Sequence, residues 1–422
     1  MPVYAADRDV LPVAAVYGAN ASGKSNLLDG LRFMADAVHE SFARWRPGGG
    51  VPRQPFKLDP ATRAQPSVFV AEFVQDGVRY TYGFQVDDER VLSEWLYSYP
   101  EKRKRVLFDR SGDRIKFGKA VASGAGKTEA LEELLRPNAL FLSLAAQSNV
   151  AVLLPPYRWF TEGLHFRPGE RGSDLSAHVA EFVDGDTGRQ RRLVELLRAA
   201  DFGIVDIKVN RPAVLDMTPA EFLAFAEKME ELPQSQKAAL RPDPAVLADL
   251  MARVEATMTR GARRRVRLVH GAGELFELHE ESAGTRSWLA LLPDVLRILE
   301  RGGVLVIDEI DESLHSLLTA RLIALFNGAE SNTGGGQLIF TTHDATLLHP
   351  PLADEVLDRD EVWFVEKDEN GASSLYPLSD FKPRREDNLE RRYLAGQYGA
   401  VPRVYEEDFV SAVRNGGVDG QA

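Results

Sequence analysis

The chain contains no cysteine in 422 residues, which excludes disulfides, thiolate zinc sites and a cysteine nucleophile. It has no apolar run of about 18 residues and no basic-then-apolar leader, so a soluble, cytoplasmic protein without a membrane partner is expected. No internal repeat and no heptad run of coiled-coil length is present, which argues against a solenoid and against a long coiled-coil arm. Positive charge is in deficit: 51 Lys and Arg face 63 Asp and Glu, a formal charge of −12. Wrapping of nucleic acid by the whole surface is therefore disfavoured, although local basic runs remain possible contacts.

Against these absences stands one dense motif, Gly18-Ala19-Asn20-Ala21-Ser22-Gly23-Lys24-Ser25, which fits G-x-x-x-x-G-K-[ST] at every constrained position. The preceding Val13-Ala14-Ala15-Val16-Tyr17 reads as a short buried strand. Asn26 to Met34 places apolar residues at helical spacing. Gly18 and Gly23 let the backbone approach phosphate without a Cβ in the way, and the first amides of the helix, through Asn26, point at the anion. Lys24 is expected to reach the β and γ phosphates of ATP, and Ser25 to ligate Mg²⁺. A second phrase, Gly124-Ala125-Gly126-Lys127-Thr128, lacks the first glycine of the frame because position 121 is Val. It reads as a loop before a helix starting near Glu129.

Downstream, Gly303-Val304-Leu305-Val306-Ile307-Asp308-Glu309 reads as a central parallel strand ending in two carboxylates. Asp308 can hold Mg²⁺ through water while Glu309 polarises the attacking water. Gln337 to Thr342 forms another buried strand ending in His343, whose imidazole can meet a γ-phosphate oxygen or that water. Ser282-Ala283-Gly284-Thr285 precedes a long apolar helix and reads either as a plain N-cap or as a second anion nest.

A chain of this length suits a main domain with substantial insertions. The organisation expected is an N-terminal part of the ATPase domain over 1–120, a helix-rich lobe over 121–260 and a C-terminal part over 261–422. The first part carries an antiparallel meander: Ser67 to Val74, Arg79 to Val86, Val91 to Tyr99, Lys104 to Asp109 and Arg114 to Phe117. Helical pieces with proline breaks fill 187–256, one opened by the cap-like Thr218-Pro219-Ala220-Glu221. Gly261 to Glu280 reads as a hairpin. Two basic runs, Lys102-Arg103-Lys104-Arg105 and Arg263-Arg264-Arg265-Val266-Arg267, are solvated strand ends or surfaces for DNA, RNA or a partner. The acids Asp354, Glu355, Asp358, Asp360 and Glu361 read as a solvated loop before a strand rather than a nuclease metal site.

Taken together, these motifs resemble the ABC-type ATPase heads related to SMC, RecF and recombination-repair proteins. The likeness is nearest to compact bacterial AAA-family ATP-binding proteins of anti-phage and abortive-infection systems. It rests on GANASGKSNLLDGLRFM, PFKLD at 55–59, ESAGTRSWLALLPDVLRILERGGVLVIDEIDESLH at 281–315, FTTHD at 340–344 and NLERRYLAGQYGAVP at 388–402. The resemblance implies an α/β P-loop NTPase of ABC-head type, with a mixed central sheet, the antiparallel meander and an inserted helical lobe. It makes Asp308 the Walker B aspartate, Glu309 the catalytic base, His343 the switch histidine and Asp311 a D-loop residue. Ser282, Gly284 and Thr285 match an abbreviated signature that would close over ATP held by another subunit. Gln54 and Gln147 are the Q-loop candidates. A homodimer or higher even oligomer, an operon-encoded effector such as a nuclease, and a regulatory role in defence are further implications. A DNA-repair or chromosome-associated clamp and a non-hydrolysing scaffold are the alternatives.

Overall fold

The structure, a computed structural model, describes residues 3–4, 8–122, 125–167, 174–210, 265–312, 314–349, 356–384, 386–402 and 406–415. The chain divides into two compact units, Met1–Arg167 with Asp294–Ala422, and Pro168–Pro293.

The first unit is organised by a six-stranded sheet in the order Ser373–Pro377, Val362–Lys367, Val13–Tyr17, Gln337–Thr342, Val304–Ile307, Leu164–Phe166. Every neighbouring pair is parallel except the edge strand Ser373–Pro377, which runs antiparallel to Val362–Lys367. All four residues of Val304–Ile307 are buried, as a strand covered on both faces requires. Because Val13–Tyr17 and Val304–Ile307 both run parallel to the strand between them, the loop after Tyr17, the acids after Ile307 and the His343 segment leave the sheet at one edge.

The helix Lys24–Glu40 follows the glycine loop and buries Leu28, Met34, Ala35 and Val38, a helical stripe. That stripe joins a core shared with the antiparallel sheet and with Val304 and Val306. Phe33 adds ring contacts to Phe69 at 4.9 Å and Phe84 at 6.2 Å.

The antiparallel sheet has five strands in chain order: Ser67–Gln75, Val78–Val86, Val91–Ser98, Arg105–Ser111 and Arg114–Phe117. Asp76 and Gly77 form the first turn with φ of 50° and 73°, the left-handed pair that a tight two-residue hairpin demands. Inside this sheet lies a buried ion pair, Glu94 and Arg110, 3.6 Å apart. Glu94 accepts from the Phe141 amide at 2.6 Å, the Leu142 amide at 3.0 Å and the Tyr82 hydroxyl at 3.0 Å. Arg110 donates to the Ala139 carbonyl at 2.6 Å. The pair therefore ties the meander to the first turn of helix Phe141–Gln147 and satisfies donors that the helix leaves open.

The second unit contains helices Leu175–Val183 and Thr187–Ala199 and a three-stranded antiparallel sheet ordered Ile204–Asn210, Arg265–His270, Leu275–Glu277. Asp174 and Asp186 cap the two helices. Two sequence expectations are corrected by these elements. Ile204–Asn210 is a strand inside the stretch read as helical; Ile204 and Ile207 are buried, with a register shift between Ile204 and Asp206, and Ile207 pairs with the buried Leu268 of the neighbouring strand. The helix near Glu129 begins at Ala125, so most of the imitation phosphate loop is helical. Residues 211–260 of the expected helical lobe, with the cap-like Thr218 to Glu221, and Arg263, Arg264, Asp354 and Glu355 lie outside the described residues. No described helix is long and apolar enough to cross a membrane.

Candidate nucleotide site

The phosphate-loop frame closes on itself in a way that its sequence explains. A Cβ at Gly18 would stand 2.5 Å from Ser22 Oγ and 2.6 Å from the Val365 carbonyl, so no larger residue fits beside the adjacent strand. Ala21 and Gly23 take φ of 60° and 108°, and a Cβ at Gly23 would collide with Ser373 Oγ. Lys24 is buried and its Nζ donates to the carbonyls of Gly18 at 2.8 Å and Ala19 at 3.2 Å. Asn20 lies exposed on the loop, and Ser25 and Asn26 are exposed in the first helical turn.

Electrostatics link this loop to the second motif. Burial pushes the Lys24 ammonium below its ordinary value, while the carboxylates of Glu309, Asp308 and Asp311, in that order, push it back up. The direction of these contributions agrees with the strand order, which brings the loop and the acids to one sheet edge.

Thr341, at the end of the intervening strand, holds the carboxylate segment. Its hydroxyl donates to Asp308 Oδ1 at 2.5 Å and accepts from the Glu309 amide at 2.8 Å. Its carbonyl receives the Ile310 amide at 3.1 Å. Glu309 itself adopts φ 48°, a left-handed conformation that costs a residue with a Cβ of order 1 kcal/mol and is held here by the bonds on either side. His343 Nε2 stands 3.1 Å from Asp311 Oδ2. Asp311 Oδ1 is buried without a hydrogen-bond partner among the described residues.

Two supports were not legible from the motifs. Ser373, on the antiparallel edge strand, donates to the Ser22 carbonyl at 2.6 Å and so clamps the loop from 351 residues away in sequence. Tyr17, at the strand end before the loop, is fully buried and packs edge-on to Tyr393 at 5.6 Å. Burial raises its hydroxyl well above the ordinary value, with Asp344, Tyr393 and Asp311 adding to the shift. Tyr393 and Tyr398 of the 388–402 segment also stack on Phe364 at 5.5 and 5.6 Å, so that segment packs against the strands beside the loop.

The signature-like residues fall in the second unit. Ser282 Oγ accepts from the Thr285 amide at 3.1 Å and lies 2.8 Å from Thr285 Oγ1, the geometry of an N-cap on helix Ala283–Arg301. Gly284 lies in that helix's first turn. Gln147 ends helix Phe141–Gln147 with its side chain exposed, and Gln54 is exposed in an irregular segment.

The acidic stretch before Val362 is also corrected. Glu361 is not solvated: it is buried, accepts from the Asp358 amide at 2.9 Å and the Asn327 side chain at 3.2 Å, and is pushed up to about 7, chiefly by burial.

A parallel strand running into a glycine loop and a helix, with acids at the end of the next strand but one, defines a P-loop nucleotide-binding domain. The chain belongs to the family described as "AAA domain, putative AbiEii toxin, Type IV TA system", whose model matches residues 13–349. Membership carries nucleotide binding and hydrolysis in general. No curated protein matches the chain significantly. Among solved structures, an SMC head bound to the C-winged helix domain of ScpA is 14% identical, with a TM-score of 0.37 over 88% of this chain and 92% of that one. The SMC head domain from Thermotoga maritima is 13% identical, TM-score 0.36, over 86% of this chain and 89% of that one. An Smc head with an extended coiled coil, bound to the C-terminal domain of ScpA derived from Pyrococcus furiosus, is 13% identical, TM-score 0.33, over 88% and 92%. Overlap this loose leaves the fold to be argued from the chain's own strand order.

Proposed function

We propose that this chain is an ATP-binding and ATP-hydrolysing head of ABC type, acting as a dimerising sensor or regulator of a partner effector, such as a nuclease, in anti-phage defence. The observation that carries the ATPase reading is the strand order: Val13–Tyr17 and Val304–Ile307 both run parallel to Gln337–Thr342, so the phosphate loop, the acids after Ile307 and His343 leave the sheet at one edge.

The donor set fits ATP with Mg²⁺. Gly18 and Gly23 leave a cradle that a Cβ would fill, Lys24 supplies a cation, and Ser25 and Asp308 supply the hard oxygens that Mg²⁺ prefers. When bound, the metal withdraws charge from the transferred phosphoryl group. Lys24 exchanges the Gly18 and Ala19 carbonyls for phosphate oxygens, at little cost because both are hydrogen-bond acceptors. Glu309 aligns water in line with the leaving oxygen, and Thr341 fixes where that carboxylate starts. His343 is the candidate γ-phosphate sensor, with Asp311 orienting its ring. Ser282, Gly284 and Thr285 are proposed to meet ATP of a second subunit. Its proposed domains are an N-terminal ATPase part over 1–120, a helix-rich lobe over 121–260 and a C-terminal ATPase part over 261–422. The defence role and effector follow from the resemblance and from the toxin and TA wording of the family description.

The test measures Mg-ATP affinity and phosphate release together. Glu309→Gln should keep ATP binding and lower turnover at least about 100-fold, whereas Lys24→Ala should weaken both. Turnover equal to wild type in either variant would reject these roles.

A further inference from the structure

One face of the antiparallel sheet does not behave as an open sheet face should. Its inner side packs Phe69, Phe73, Tyr82, Phe84, Leu96 and Phe108 into the core. The opposite side would ordinarily carry polar residues. Instead Trp95, Tyr97 and Tyr99 alternate along one strand and its extension, all half-buried, with Val68 and Val70 exposed by 56% and 53% on the edge strand beyond them. Register puts them together: Val70 pairs with Gly83, Gly83 with Trp95, and Thr81 with Tyr97. The Tyr99 amide continues the ladder by donating to the Arg79 carbonyl at 2.8 Å.

Gly83 is the residue that makes the arrangement possible. A Cβ there would meet the Trp95 ring, with Cε2 at 2.6 Å, so the indole lies across the glycine of the neighbouring strand. Two cations sit on the other rings: Lys104 Nζ is 3.6 Å from the Tyr97 centroid and the Arg79 guanidinium 4.2 Å from that of Tyr99. Arg114 and Lys116 are exposed on the outer strand, at positions paired with Ser111 and Asp109. The acids of this face are both engaged. Glu72 accepts from Thr81 at 3.0 Å and lies 3.7 Å from Arg79, and Asp109 accepts from the Tyr97 hydroxyl at 3.2 Å. Arg79, Lys104, Arg114 and Lys116 against Glu72 and Asp109 leave a surplus of two positive charges, on a chain whose net charge is −12.

We propose that this face binds single-stranded nucleic acid, with unpaired bases stacking on Trp95 and on the Tyr97–Lys104 and Tyr99–Arg79 pairs while Arg114 and Lys116 meet phosphates. Flat rings spaced along a strand accept any base, and planar guanidinium over tyrosine extends the stack. Duplex DNA offers no free base face, so the surface selects single strands. The ATPase reading is not required, because the platform lies on the opposite side of the sheet from the core that holds helix Lys24–Glu40.

The experiment uses the full chain without nucleotide and follows anisotropy of labelled oligo-dT and oligo-rU of about 20 nucleotides, and of a duplex of equal length. Wild type should bind both single strands at least about tenfold more tightly than duplex; a large gap between the dT and rU arms assigns DNA or RNA as the ligand. Trp95→Ala should weaken single-strand binding roughly tenfold, and Trp95→Phe should recover most of it. Lys104→Glu, at an exposed position that needs no repacking, should weaken binding, and Lys116→Glu, also exposed, should flatten the salt dependence by about 0.7 in log–log slope or more. Lys24→Ala should bind oligonucleotides like wild type, which separates this result from the fate of the ATPase proposal. Equal affinity for duplex, or unchanged affinity in folded Trp95→Ala and in Lys104→Glu, overturns the inference. Loss of a protein effector in those variants with oligonucleotide binding intact would overturn it too.

Discussion

The His343 imidazole lies 3.1 Å from the Asp311 carboxylate, and this contact joins two strand ends that the sheet places side by side. Asp311 is nearly buried at 8% side-chain exposure, whereas His343 is 54% exposed. The buried partner therefore positions the exposed one. Because the pair is half in solvent, its worth to stability is at most about 1 kcal/mol. Its worth to catalysis should be larger, since it aims the ring. Asp311→Ala and His343→Ala should each slow phosphate release, and the double variant should be no slower than the worse single, a coupling of about 1–2 kcal/mol in a double-mutant cycle. Additive losses would mean that the two side chains act separately.

Thr341 bears a second prediction. It is fully buried, and one hydroxyl serves both the Asp308 carboxylate and the Glu309 amide. Thr341→Val keeps the shape and strands both partners. It should cost about 1–2 kcal/mol in chemical denaturation and about tenfold or more in turnover, because Glu309 loses the anchor of its left-handed backbone. Thr341→Ser should restore most of both. Normal turnover in a destabilised Thr341→Val protein would reduce Thr341 to a packing residue.

These supports mark where sequence reading ends. The phosphate loop, the apolar strand into Asp308-Glu309 and the strand into His343 were legible because each is a local phrase with its own physical logic. The meander was legible from alternation in its five strand-like stretches. Thr341 was not, since threonine in a strand is ordinary and only the register against Val304–Ile307 aims its hydroxyl at Asp308. Ser373 had no signal at all, as its partner is a backbone carbonyl on a loop far away in the chain. Ile204–Asn210 did carry one: the Ile204, Ile207 and Val209 pattern is apolar enough for a strand, but proline-broken helical neighbours outweighed it. Nothing in its local sequence marks Glu94 as buried. Its burial is decided by Arg110 and by the amides of Phe141 and Leu142, which no local window contains.

The burial of Glu361 is likewise decided by distant partners, Asn327 among them, and it has a pH signature. In the folded chain its carboxyl holds a proton up to about pH 7, against an ordinary value of 4.5. Between those two pH values the native state binds more protons than the unfolded state, so this group makes stability fall as pH rises through the window and leaves it level above about 7. Glu361→Gln keeps an oxygen that can accept from Asp358 and Asn327 but carries no charge. The variant should match wild type near pH 4.5 and exceed it at pH 8, by on the order of 1 kcal/mol or more. Denaturant melts of both proteins at the two pH values measure the difference directly. A gap that does not widen with pH would mean that Glu361 is ionised in the native protein across the whole range, with the Asp358 amide and Asn327 sufficient to hold it so.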